Sequence, residues 1–212
     1  MKFSTQKLLS ILVLTASVGA GLSACAPLIV GGAVVGSMMA TDRRTAGTQI
    51  DDEGIELRAA SQIRLNVGDR VHVNITSYNR QVLLTGEVPS AQDKQLVEQL
   101  VARVENVRTI VNELGVTGHS TLTQRSSDAL VTGKVKAGLV DAKGLYANAF
   151  KVVTERGTTY LMGRVTQREA DRATEIARGT GGVQKVVRML EIISEEELRS
   201  LLPKPAATEA KK

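Results

Sequence analysis

The stretch "QVLLTGEV" at 81–88 returns as "TTYLMGRV" at 158–165, and the glycine of each, Gly86 and Gly163, is separated from its counterpart by 77 residues. Behind each lies a polar stretch containing alanine, and behind that a second apolar run, "NVRTIVNELGV" in the first copy and "GVQKVVRMLEI" in the second. Self-similarity at a fixed offset means one supersecondary unit used twice. The expected boundary is "TGHSTLTQ", residues 117–124.

Both copies show the same order of elements. A helix comes first, because Ile55, Ala59 and Ile63, and likewise Val131, Val135 and Leu139, recur at helical spacing on one face. Two strands follow. In copy one they cover 71–77 and 81–88, with Val71, Val73 and Ile75 alternating against polar residues; in copy two they cover 149–155 and 158–165, with Arg156-Gly157 at the turn. A second helix starts near Ser90 and near Thr166, each with an acid three residues on, Asp93 or Glu169. The last strand, 108–116 or 183–193, returns through that helix, so it runs parallel to its neighbour with a right-handed crossover. The fold class is α+β: two tandem α-β-β-α-β sandwiches, each a three-stranded mixed sheet packed on two helices.

This order, the glycine in the second strand, the Gly182-Val183 pair before the last strand and "TERGTTYLMGRVTQREADRATEIA" at 154–177 resemble the BON domain, a module of bacterial envelope proteins. The chain is similar to dual BON-domain outer-membrane lipoproteins. That resemblance implies a protein that binds anionic phospholipid such as phosphatidylglycerol, faces the periplasm, gathers at division sites and supports envelope integrity. It also leaves open an outer-membrane assembly machinery or the cell wall as the partner.

The N-terminus fits such a location. Lys2 and Lys7 precede an apolar run from Leu8 to Ala20 and a small-residue end, the layout of a secretory signal over residues 1–24. The run falls short of the ~20 apolar residues that span a bilayer. Leu22-Ser23-Ala24-Cys25 resembles the bacterial lipobox, which implies acylation of Cys25, the only cysteine in the chain; the alternative is ordinary cleavage that leaves a spare thiol. In the lipoproteins that this motif resembles, the absence of Asp at the next position, here Ala26, implies export to the outer membrane. Residues 25–49 are read as a lipidated tether, 50–116 as the first domain, 117–125 as a linker and 126–193 as the second domain. Residues 194–212 read as a short helix capped by Ser194, then a tail broken by Pro203 and Pro205.

Charge distinguishes the copies. Residues 51–116 carry seven bases and ten acids, whereas 126–193 carry eleven bases and seven acids. Copy two is therefore the half drawn to an anionic surface. If Val131, Val135 and Leu139 face its sheet, a rotation of roughly 100° per residue turns Leu130, Gly133, Ala137 and Val140 outward, with Lys134 and Lys136 alongside. Matched at an offset of 76, copy one has Gly54 and Arg64 where copy two has Leu130 and Val140, so the apolar outward strip is expected in copy two alone. Such a strip either touches lipid or packs against copy one or the tether. In the family the resemblance points to, this helix is implied to be the lipid-binding surface.

No catalytic set is legible, and no cofactor or metal is expected. His72 and His119 stand in no ligand spacing, and the isolated glycines Gly86 and Gly163 lack a surrounding phosphate loop and suit a close backbone approach instead. "DDEG" at 51–54 is read as negative charge ahead of a helix. Tyr78, Tyr146, Phe150 and Tyr160 are too few and too scattered for a base-stacking platform, which argues against nucleic acid.

Overall fold

The computed structural model describes residues 42–201, and within them the doubled unit is present as read. In copy one, α1 (Ala46–Asn66) leads to the hairpin β1 (His72–Tyr78) and β2 (Gln81–Val88). The crossover helix α2 (Ala91–Ala102) then returns the chain to β3 (Thr109–Asn112) and β4 (Gly115–Val116), both parallel to β2. Copy two repeats this with α3 (Leu122–Asp141), β5 (Phe150–Glu155), β6 (Thr158–Val165), α4 (Gln167–Gly179) and β7 (Lys185–Ile192), and a short α5 (Glu195–Leu201) follows. β5 and β6 are antiparallel, and β7 is parallel to β6.

Several boundaries move from those read in the sequence, each for a local reason. Thr45 caps α1 by accepting from Thr48 N–H, so the helix begins at Ala46, inside the stretch read as tether. Thr121 and Gln124 close a capping box, and α3 begins at Leu122, inside the stretch read as linker. The last strand of copy one is broken at Glu113-Leu114, where Leu114 turns into the core instead of continuing the ladder. Ser90 and Thr166 cap the crossover helices, with Asp93 and Glu169 at the third position. Ser194 Oγ accepts from Glu197 N–H at the start of α5. Residues 1–41 and 202–212, including Cys25 and the signal stretch, lie outside the described residues.

Two repeated devices hold each unit together. A Cβ on Gly86 would stand 2.1 Å from the carbonyl oxygen of His72, and one on Gly163 would stand 2.6 Å from that of Ala149. The strand glycines are thus required by close backbone approach. The second device overturns the reading of "DDEG". Asp52 lies within α1, buried, and its carboxylate accepts from Asn79 N–H, Arg80 N–H and Ser77 Oγ at 2.7–2.8 Å. Asp128, in the same place on α3, accepts from Arg156 N–H at 2.8 Å and Gly157 N–H at 3.0 Å. These are the hairpin turns, whose central residues have positive φ (50° and 63°; 51° and 72°), the conformation that matches strand twist. Their N–H groups point away from the ladder, and the aspartates satisfy them.

Each sheet packs one face on its helices. Ile55, Ala59, Ile63, Val82, Leu84, Val97 and Val101 fill that layer in copy one; Val131, Val135, Leu139, Val152, Leu161 and Ala173 fill it in copy two. The other faces pack against each other through Tyr78, Leu83, Tyr160, Met162 and Met189. Helices therefore form the two outer layers and the sheets the two inner ones. Polar links tie the copies at the seam: Lys151 Nζ to Glu56 at 2.8 Å, Asn74 Nδ2 to Glu155 at 2.9 Å, and Tyr78 Oη to the carbonyl of Ala149 at 3.3 Å.

Candidate functional site

The capping box starts α3 and twenty residues extend it to about 30 Å. Asp128, Val131, Val135 and Leu139 form its buried face. A Cβ on Gly138 would meet Ile176 at 2.9 Å, so α3 lies close on α4 there and its opposite side is left outward. On that side Leu130 and Val140 are 68% and 69% exposed, and Gly133, Lys134, Lys136 and Ala137 are exposed as well. All six residues singled out in the sequence sit together. Packing of this strip against copy one is not what the structure holds; packing against residues 26–41 falls outside the described residues.

One member of the strip was missed. Leu122 is exposed and stands about five turns before Val140, so the two project on the same side. From Leu122 to Val140 the strip runs roughly 27 Å. Residue 122 falls in the stretch that the sequence reads as linker, so the sequence reading does not include it in the helix.

The expectation that only copy two carries an outward apolar strip is wrong. Ile50, Leu57 and Leu65 on α1 are between 68% and 76% exposed and fall opposite the buried Asp52, Ile55, Ala59 and Ile63. Offset matching overlooked them because their counterparts are Ser126, Gly133 and Asp141: the two helices place their apolar residues at different turns. The surroundings also differ. Around the α1 strip, Asp51 pairs with Arg80 at 2.7 Å, and Glu53, Arg58 and Arg64 mix both signs. Around the α3 strip, Lys134 and Lys136 take part in no ion pair among the described residues.

A further polar cluster joins β1, β2 and the segment before α3. His72 Nδ1 lies 3.0 Å from Glu87 Oε2, and the His72 and His119 rings are 6.4 Å apart. Burial pushes the Glu87 carboxyl up, but hydrogen bonds from Ser120 and His72 outweigh it and hold the group below its ordinary value. Among the described residues no group of three or more His, Cys, Asp or Glu is placed to hold a metal, and no helix is long and apolar enough to cross a membrane.

Comparison with known proteins agrees with this architecture. The BON domain family matches residues 51–118 and 127–194. The outer membrane lipoprotein DolP of Haemophilus influenzae is 36% identical over 174 residues, 81% of this chain and 90% of that protein. A 21 kDa hemolysin of Actinobacillus pleuropneumoniae is 33% identical over 154 residues, 72% of this chain and 79% of that protein. A solved chain of CdsD, a structural protein of the type III secretion system of Chlamydia trachomatis, gives a TM-score of 0.29 at 14% identity, covering 70% of this chain and 98% of that one, too little to support an argument. With two matched BON domains that order the same elements around the same strand glycine, this chain is a dual BON-domain protein of the family that includes DolP.

Proposed function

We propose that this protein is an outer-membrane lipoprotein, acylated at Cys25, whose second BON domain binds anionic phospholipid through the outward face of α3 and supports envelope integrity without catalysis. The observation that carries the reading is the strip Leu122, Leu130, Gly133, Ala137 and Val140, exposed on the basic copy and bordered by Lys134 and Lys136. Burying a leucine or valine side chain contributes about 1.5–3 kcal/mol, and a lysine near an anionic leaflet about 1 kcal/mol. Lysine stems also lie comfortably along apolar surface while their ammonium groups reach head groups. Together these give reversible, interfacial binding of an amphipathic helix, weaker than insertion of a spanning one. An acyl anchor would already supply attachment, so the added affinity selects lipid composition and orientation. The name of the similar outer membrane lipoprotein DolP supports the location.

A second reading has an observation of its own. The α1 strip of Ile50, Leu57 and Leu65 lies on the acidic copy, in the other outer helix layer, and suits a protein contact with an envelope-assembly or cell-wall partner better than an anionic bilayer. Flotation of the unacylated chain with vesicles of phosphatidylglycerol and phosphatidylcholine separates the two. Leu130→Glu is expected to abolish co-flotation and Leu57→Glu to leave it intact. Loss with Leu57→Glu and retention with Leu130→Glu would overturn the lipid reading of α3.

A further inference from the structure

The segment leading into α1 is bound to both copies. Arg44 pairs with Asp42 at 2.7 Å and with Asp52 at 2.8 Å, and its guanidinium stacks 4.3 Å from the Tyr78 ring, all within copy one. Arg43 reaches the other way. Its Nη1 and Nη2 each donate to Glu169 at 2.7 Å, and Nη1 also donates to the carbonyl of Arg164 at 3.0 Å. The side chains of this pair are 3% and 0% exposed. The guanidinium also stands 5.9 Å from the ring of Tyr146, five residues beyond the end of α3 and 42% exposed.

Comparison of the copies shows why the cation comes from so far away in sequence. In copy one the capping acid of the crossover helix, Asp93, is paired at 2.7 Å by Arg70, three residues before the partner of the strand glycine. In copy two that place is taken by Ala147. Arg43 supplies the missing charge from outside both BON matches, which begin at residues 51 and 127. Breaking a buried, bidentate pair by removing one partner is strongly unfavourable, because it strands the other charge. The chain is therefore fastened at residue 43 to copy two, although the helix that directly follows it, α1, belongs to copy one.

We propose that Arg43 is a positioning residue: its pairing with Glu169 fixes the membrane-anchored chain onto copy two beside Tyr146, so that the anchored molecule presents Tyr146 and the C-terminal half of α3 to the lipid surface together. This rests on the reading of α3 as the lipid-binding helix. Sixteen residues lie between Cys25 and Asp42, a reach of at most ~60 Å over the seventeen steps. Arg43 is the first described residue held to copy two on the way from an acyl anchor at Cys25. Tyr146 suits that place: an aromatic ring with a polar tip favours the head-group level of a bilayer.

The chain contains no tryptophan, so one introduced residue reports a single site. The test uses the full acylated protein in vesicles of phosphatidylglycerol and phosphatidylcholine with brominated acyl chains, carrying Tyr146→Trp or, separately, Leu130→Trp. The clamp is removed by Arg43→Met with Glu169→Gln, which leaves no buried charge and keeps a glutamine able to close the capping box. Quenching at position 146 is expected to fall at least about threefold when the clamp is removed, while flotation of the unacylated chain stays unchanged, an outcome a merely structural role of Arg43 would not give. Arg43→Lys, with one point of contact in place of two, is expected to fall between and serves if the double variant does not fold. Equal quenching at 146 with and without the clamp, or none at 146 while 130 is quenched, overturns the proposal and leaves the α3 reading standing. No quenching at 130 overturns the α3 reading itself, and the proposal with it.

Discussion

Asp52 and Asp128 do the same work 76 residues apart: each reaches from the first helix of its copy to the N–H groups of a hairpin turn. An alanine at either place strands at least two partly buried N–H donors, and an unsatisfied buried polar group costs about 1–3 kcal/mol. Asp52→Ala and Asp128→Ala are each expected to lower the unfolding free energy by that order or more in urea titration; no change would remove the turn-anchoring role. Glu169 gives a pH dependence. Burial pushes its carboxyl up, but the Arg43 guanidinium and the Thr166 N–H hold it below the ordinary value. A depressed folded pKa stabilises above the unfolded value, about 4.3, and that contribution is lost as pH falls through the lower folded value. Acid melts should therefore show Glu169→Gln losing less stability below pH ~4.3 than the unsubstituted chain. The caps at Ser90 and Thr166 span three residues and are legible in the sequence, whereas Asp52 and Arg43 act over 25 to 126 residues and leave no local pattern.

At the scale of elements, helical periodicity gave the inward faces of α1 and α3 correctly, because a buried stripe repeats every three or four residues in both copies. Outward faces obey no such rule, and matching two positions between copies hid the α1 strip. The strands carry a further signal. "QVLLTGEV" is apolar on both faces, Leu83 as well as Val82 and Leu84, which marks a strand covered from both sides. For α3 the two faces make opposite demands. Leu130→Glu and Val140→Glu alter exposed positions and should change stability by no more than about 0.5 kcal/mol. Val135→Glu buries a charge with nothing to pair it and should unfold the protein. Thermal melts compare the three directly; a large loss with Leu130→Glu would mean that its side chain is packed.

At the scale of the molecule, the sheet-to-sheet contact makes the two BON domains one body and not two beads on a linker. Met162, fully buried at that contact, is the most sensitive place to test this: Met162→Glu should destabilise both copies together, seen as one transition at a lower denaturant midpoint. Two separate transitions in the unsubstituted chain would contradict a shared core. Because the helix layers lie on opposite sides of the paired sheets, α1 and α3 do not share a face, and a bilayer that covers one leaves the other to a different partner. The most direct measurement uses the absence of tryptophan: Leu130→Trp and Leu57→Trp, each the sole tryptophan of the unacylated chain, with emission recorded on adding phosphatidylglycerol vesicles. The account expects a blue shift and quenching by brominated lipid at position 130, diminishing with salt as screening weakens the lysines, and no change at position 57. A shift at 57 with none at 130 would place the lipid-facing surface on copy one and contradict the account.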